Sequence, residues 1–172
     1  AEAGLFIFSG GAARIENNRI YGNGLANIEI RDQGSTPTIS DNQIFNANQS
    51  GLFIHSQAEP IVSNNTIYSN TLAGISVRDN ANPQVRGNEI RDGKEEGIVV
   101  YQAGKGRFEE NKIWGNERAG VAVYEQGNPS FSNNSIYQGN ASGVFVYDGG
   151  LGNFNGNQIF QQRLSNIVVT DQ

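Results

Sequence analysis

A 23-residue period runs through this sequence from end to end and leaves few folds open to it. Gly or Asn followed by apolar-x-apolar recurs at Gly4-Leu5-Phe6-Ile7, Asn27-Ile28-Glu29-Ile30, Gly51-Leu52-Phe53-Ile54, Gly74-Ile75-Ser76-Val77, Gly97-Ile98-Val99-Val100, Gly120-Val121-Ala122-Val123, Gly143-Val144-Phe145-Val146 and Asn166-Ile167-Val168-Val169. The first residues are spaced by 23, 24, 23, 23, 23, 23 and 23. A second column, Asn-x-Ile, starts at Asn18, Asn42, Asn65, Asn88, Asn111, Asn134 and Asn157 and keeps the same steps. The single extra residue falls between Ile30 and Pro37, where a loop must absorb it.

Each unit holds three short apolar stretches: the doublet, then one of Ile15, Ile39, Val62, Val85, Phe108, Phe131 or Phe154, then the Ile of Asn-x-Ile. The doublets alternate with period 2, and nothing between them sustains a 3.6-residue period. A unit this short cannot bury its own apolar face, so successive units must stack, each strand pairing in parallel with its equivalent one coil along. The fold class expected is all-β: a single-stranded, right-handed parallel β-helix of about seven coils with three short strands per coil, residues 1–172 forming one domain. A leucine-rich repeat shares the look of Phe-x-x-Asn-x-Ile, but it needs its apolar doublet immediately before the Asn and a helical return. Here the doublet lies far upstream, and a turn and a strand intervene. Neither end shows a capping element and the chain begins at Ala1, so it reads as an uncapped segment of a longer solenoid. Open coil edges make end-to-end self-association a further expectation.

Composition adds exclusions. The net charge of −5 lacks the basic face a phosphate-backbone binder needs, so nucleic acid is not an expected partner. No apolar run is long enough for a membrane span, and the first ten residues carry no basic leader. With no Cys and one His, neither a disulfide framework, a thiolate or multi-His metal site, nor a Ser-His-Asp constellation is supported, and no cofactor is expected. Four Asn-x-Ser/Thr sequons, at Asn48, Asn64, Asn133 and Asn140, are unremarkable in so Asn-rich a chain. The turn Asp79-Asn80-Ala81-Asn82 lacks the repeated ligand pattern that calcium would require.

Most columns read as architecture. The Gly column, shared only with Asn, suggests a positive φ entering the first strand. The Asn18-to-Asn157 column reads as an internal amide ladder. Pro37, Pro60, Pro83 and Pro129, with Gly106 and Gly152, are expected to begin the second strand. Tyr21, Phe45, Tyr68, Trp114, Tyr137 and Phe160 form an aromatic column interrupted by Arg91, suited to ring stacking or, alternatively, to a sugar platform.

The row just after each doublet varies more: Phe8, Arg31, His55, Arg78, Tyr101, Tyr124, Tyr147 and Thr170. Beside it run Asp32, Ser56, Asp79, Gln102, Glu125, Asp148 and Asp171. Three adjacent tyrosines edged by carboxylates have the composition of a recognition surface, with Tyr101, Tyr124, Tyr147, Arg78, His55, Asp79, Glu125 and Asp148 as the candidate binding residues. Carboxylates one coil apart approach the spacing of a retaining glycosidase, but the fold imposes that spacing on any acidic column. An exposed row would also fail to keep one carboxyl protonated, so no catalytic residue is assigned and the reading leans away from an enzyme.

The stretch from Asn88 through Glu-Ile-Arg-Asp-Gly-Lys-Glu-Glu-Gly-Ile-Val-Val-Tyr to Asn116 resembles the β-helix repeats of carbohydrate-binding and sugar-hydrolysis domains, most nearly those of the F-box-only proteins. The resemblance extends from Gly4 to Val169 and implies a binding module that receives a protein partner. No F-box segment is present, and no match to the catalytic motifs of pectate lyases or galacturonases is found. Two functions therefore stand: a non-catalytic recognition or scaffold module presenting the tyrosine face to a protein, or, alternatively, a polysaccharide-binding or polysaccharide-cleaving β-helix of lyase, hydrolase or epimerase type using the same face.

Overall fold

A computed structural model describes residues 2–171. Every strand is three residues long, and the strands assemble into three parallel sheets that share one axis. The first sheet has eight strands, from Leu5–Ile7 to Ile167–Val169. The second runs over seven strands from Arg14–Glu16 to Asn153–Asn155, and the third over seven from Arg19–Tyr21 to Gln158–Phe160. Each strand pairs with its equivalent one coil away, as in Ile75↔Ile98 and Ile90↔Ile113. The extra residue is absorbed where expected: Ser35 N–H donates to the Asp32 carbonyl at 3.1 Å, and Gly34 takes φ +83° within that turn.

Each coil turns its apolar residues inward. In a central coil Ile75, Val77, Val85 and Ile90 are at most 1% exposed, and Ala81 closes the corner between the first two sheets. Burying such a side chain is worth about 2 kcal/mol relative to leaving it in water, and four per coil, packed against the coils on either side, hold strands far too short to persist alone. Phe108, Phe131 and Phe154 stack in register inside the rod at 4.4 and 5.3 Å.

The Asn18-to-Asn157 column is an internal ladder. The backbone N–H of each Asn donates to the side-chain oxygen of the next, at 2.9 to 3.0 Å. The amide nitrogen of Asn88 donates to Val62 O, Arg86 O and Asn111 Oδ1. Turn carbonyls that would otherwise be buried unpaired are thereby satisfied.

Three columns depart from expectation. The glycines entering the first strand, such as Gly74, Gly97 and Gly120, do not adopt positive φ. They are small because a Cβ at Gly97 would lie 2.5 Å from Ile113 Cγ2 and 2.7 Å from Gly120 O. Close approach of coils, and not backbone handedness, selects Gly there. Asn27 fits the same column by sinking its amide, which donates to Phe45 O at 3.0 Å. The prolines stand one residue before the second-sheet strands, their carbonyls accepting from the next coil, as Pro60 O does from Gln84 N–H. Gly106 and Gly152, in the same column, take φ near +128° and +127°, a conformation closed to proline. Finally, Arg91 does not interrupt the aromatic column. Its guanidinium lies 4.6 Å from the Tyr68 ring centre and 5.7 Å from that of Trp114, bridging the stacks Tyr21–Phe45–Tyr68 and Trp114–Tyr137–Phe160.

Candidate functional site

The outer face of the first sheet is written by two positions per coil: the middle residue of the strand and the residue just after it, which point the same way because side chains alternate. Their proximity shows in the stacked pairs Phe6–Phe8, Phe53–His55 and Phe145–Tyr147. Between Phe53 and Phe145 the middle positions shrink to Ser76, Val99 and Ala122, so the face sinks into a hollow.

Tyr101, Tyr124 and Tyr147 form one wall of that hollow. Their rings are stacked at 5.1 and 4.9 Å and packed on Ala73, Val99 and Ala122. Both faces of Tyr124 are therefore covered by its neighbours, leaving ring edges and hydroxyls for a ligand. Burial, with the neighbouring tyrosines and Glu125, raises the Tyr124 pKa far above that of a free phenol; burial, Glu96, Asp148 and Glu125 raise that of Tyr147. The hydroxyls of Tyr124 and Tyr147 stay neutral and able both to donate and to accept.

Glu95, Glu96 and Arg118 form the opposite wall, residues that the sequence reading did not single out. Glu96 occupies the column that precedes each Gly of the doublet pattern. Elsewhere that column holds Ala3, Ala26, Ser50, Ala73, Ala119, Ser142 and Ser165, so a lone Glu among Ala and Ser was the visible signal. Arg118 lies 3.4 Å from Glu95 and 3.9 Å from Glu96. Burial raises the Glu96 pKa; its own backbone N–H opposes this, Glu95 adds to it, and Arg118 opposes it. The hollow between the walls measures about 180 Å3. A second hollow of about 420 Å3, lined by Ala141, Phe145, Leu164 and Val168 among others, shares Glu96, Arg118 and Tyr147 with it. The two form one groove running along the rod axis.

The remaining candidates separate from this groove or edge it. Glu125 and Asp148 flank the tyrosine wall at φ +44°, exposed turn residues that feel the tyrosines electrostatically. His55 is not exposed as expected: it is 8% accessible, stacked on Phe53, with its ring nitrogens 3.2 Å from Glu29 and 2.9 Å from Ser56. Arg78 covers the other side of the Phe53 region, 5.0 Å from that ring centre, and donates to Gln102 at 3.3 Å. Its Nε lies 3.4 Å from Asp79 without the alignment of a hydrogen bond. His55 and Arg78 thus gather around Phe53, with Asp79 beside Arg78, one to two coils toward the N-terminus from Tyr101. Among the described residues no three His, Cys, Asp or Glu side chains converge on a metal-sized site.

The molecule is thus a parallel β-solenoid with an axial groove on one sheet. The sequence matches the family model of the right-handed β-helix region over residues 1–77 and 33–172, and the chain belongs to that family, whose hand is the one expected. No curated protein matches it in sequence. A substituted form of the periplasmic alginate epimerase AlgG superposes with a TM-score of 0.74 at 16% identity, over 96% of this chain and 45% of that one. The A-module of the mannuronan C-5 epimerase AlgE4 of Azotobacter vinelandii superposes at 0.65 and 14% identity, over 92% and 63%. This chain thus spans less than half of the AlgG chain, and identities this low establish the common fold alone.

Proposed function

We propose that the chain is a polysaccharide-binding β-helix that holds a glycan in the axial groove of the first sheet. The observation that carries this reading is the groove itself: a hollow floored by Ala73, Ser76 and Val99, with a tyrosine wall facing a Glu95–Glu96–Arg118 wall. Hydroxyls and a carboxylate–guanidinium pair are the groups that hydrogen-bond a chain of sugar hydroxyls, and the groove follows the direction in which such a polymer repeats. The solved structures with the same fold that act on alginate favour this reading over the protein-docking one. Nor does the tyrosine row favour docking, since aromatic anchors of protein interfaces insert into pockets and these rings are engaged with one another. The likeness to F-box-only repeats rests on architectural columns and supplies no partner.

One further observation supports a catalytic version of the same reading. Glu96 is a partly buried carboxyl with a raised pKa in a groove, the setting in which carboxyl groups transfer protons.

A glycan array followed by titration of the retained oligosaccharides tests both. Tyr124→Phe, which keeps the stack and removes one hydroxyl, is expected to weaken binding by about five- to tenfold, one hydrogen bond's worth. Turnover lost in Glu96→Gln by far more than the affinity falls supports the catalytic version. Absence of any glycan binding, together with a protein partner lost on Tyr124→Ala, overturns the proposal.

A further inference from the structure

The charges lining this groove are unbalanced toward the acidic side. Two carboxyl groups line it, Glu95 and Glu96, against one guanidinium, Arg118, and two more, Glu125 and Asp148, stand exposed just outside the tyrosine wall, in the turns that follow Tyr124 and Tyr147. Arg118 is shared between Glu95 and Glu96, and its side chain is 61% exposed, so it screens them weakly. The tyrosines contribute no positive charge to offset the carboxylates. The basic residues of the same face lie elsewhere and are already matched: His55 contacts Glu29, Arg78 lies beside Asp79 and Arg31 beside Asp32. A polymer with one carboxylate per sugar would bring its charge against this lining at every unit.

From this we infer that the groove takes a cationic amino-sugar polymer and rejects polyuronates, an inference that rests on the groove being a glycan site. Carboxylates stand on one wall and just outside the other, and successive coils repeat at about 4.8 Å along the axis, so ammonium groups repeating along a glycan chain meet acidic partners over several coils. The tyrosine edges receive the uncharged hydroxyls. This departs from the alginate-acting structures that share the fold, whose polymer is the class the charge disfavours.

The test is calorimetric titration of the folded chain at pH 6 with chitosan oligosaccharides, their fully N-acetylated counterparts, and oligomers of alginate and polygalacturonate. The amino-sugar oligomer is expected to bind about tenfold or more tighter than either uronate. Glu96→Gln, on one wall, and Glu125→Gln, just outside the other, are each expected to lower that affinity about threefold to tenfold, with the loss shrinking at high salt. Glu59→Gln, an equal charge change away from the groove, is expected to leave it within about twofold. Equal weakening by Glu59→Gln would reduce the effect to net charge and overturn the inference. So would equal binding of the N-acetylated oligomer. Uronates binding as tightly as the amino sugar would overturn it while leaving the polysaccharide reading intact; failure of every glycan would remove both. Circular dichroism of each variant establishes that the loss is not unfolding.

Discussion

Glu96 shows how one residue can stand apart from a repeat. Its column is otherwise Ala or Ser because the side chain there faces the floor of the first sheet, and a carboxyl placed in it loses solvent. The raised pKa means that the folded state holds this proton more tightly than the unfolded chain does. Its contribution favours the folded state below the normal carboxylate pKa of 4.5 and is lost as pH rises through the raised value. Glu96→Gln is therefore expected to match or exceed the parent in thermal midpoint at pH 7, with the difference shrinking or reversing at pH 4, measured by melts across that range. His55 marks a limit of reading at this scale. A lone His between Arg31 and Arg78 in one row looked exposed, yet Phe53, Glu29 and Ser56 enclose it. Which middle-strand residue would lean over it could not be read from the row itself.

The ladders belong to the scale of elements. In the Asn18-to-Asn157 column each amide serves two coils, so removing one leaves donors and acceptors unpaired on both sides. Asn88→Ala is expected to cost about 2–4 kcal/mol in chemical denaturation, since several buried polar groups lose partners at once. Ser135→Ala, on a strand of the third sheet with an outward hydroxyl, is expected to cost less than about 0.5 kcal/mol. The sequence displayed these elements well: spacing alone located the sheets, the core Ile and Phe positions and the amide ladder. It misassigned the Gly column because positive φ and close packing both favour Gly, and only the backbone φ and the 2.5 Å that would separate a Cβ at Gly97 from Ile113 Cγ2 distinguish them. The groove was legible only in part. The tyrosine wall stood out as a varied row, whereas Glu95, Glu96 and Arg118 lie in the turn before the strand, several residues away in sequence and opposite in space.

At the scale of the whole molecule the rod is nearly one-dimensional, each coil touching only its neighbours. Ile98 is fully buried in the middle, whereas Ile167 and Val169 in the last first-sheet strand are 52% and 71% exposed. Amide hydrogen exchange on this chain is expected to show protection highest between residues about 75 and 125 and falling toward both ends, by about tenfold or more per terminal coil. Uniform protection would mean that the ends are covered in solution, as end-to-end association would do.

A second set of amides gives this rod a coarser grain than its repeat. The column Asn23, Ala47, Asn70, Gly93, Asn116, Gly139, Gln162 alternates amide with small residue. Asn70, Asn116 and Gln162 each accept the backbone N–H of Ala47, Gly93 and Gly139 in turn, at 3.0 Å. No such bond spans Asn70 to Gly93 or Asn116 to Gly139, so stitched and unstitched seams alternate. The solenoid is tiled in coil pairs, with planes of easier parting every 46 residues, the step from Ala47 to Gly93 to Gly139.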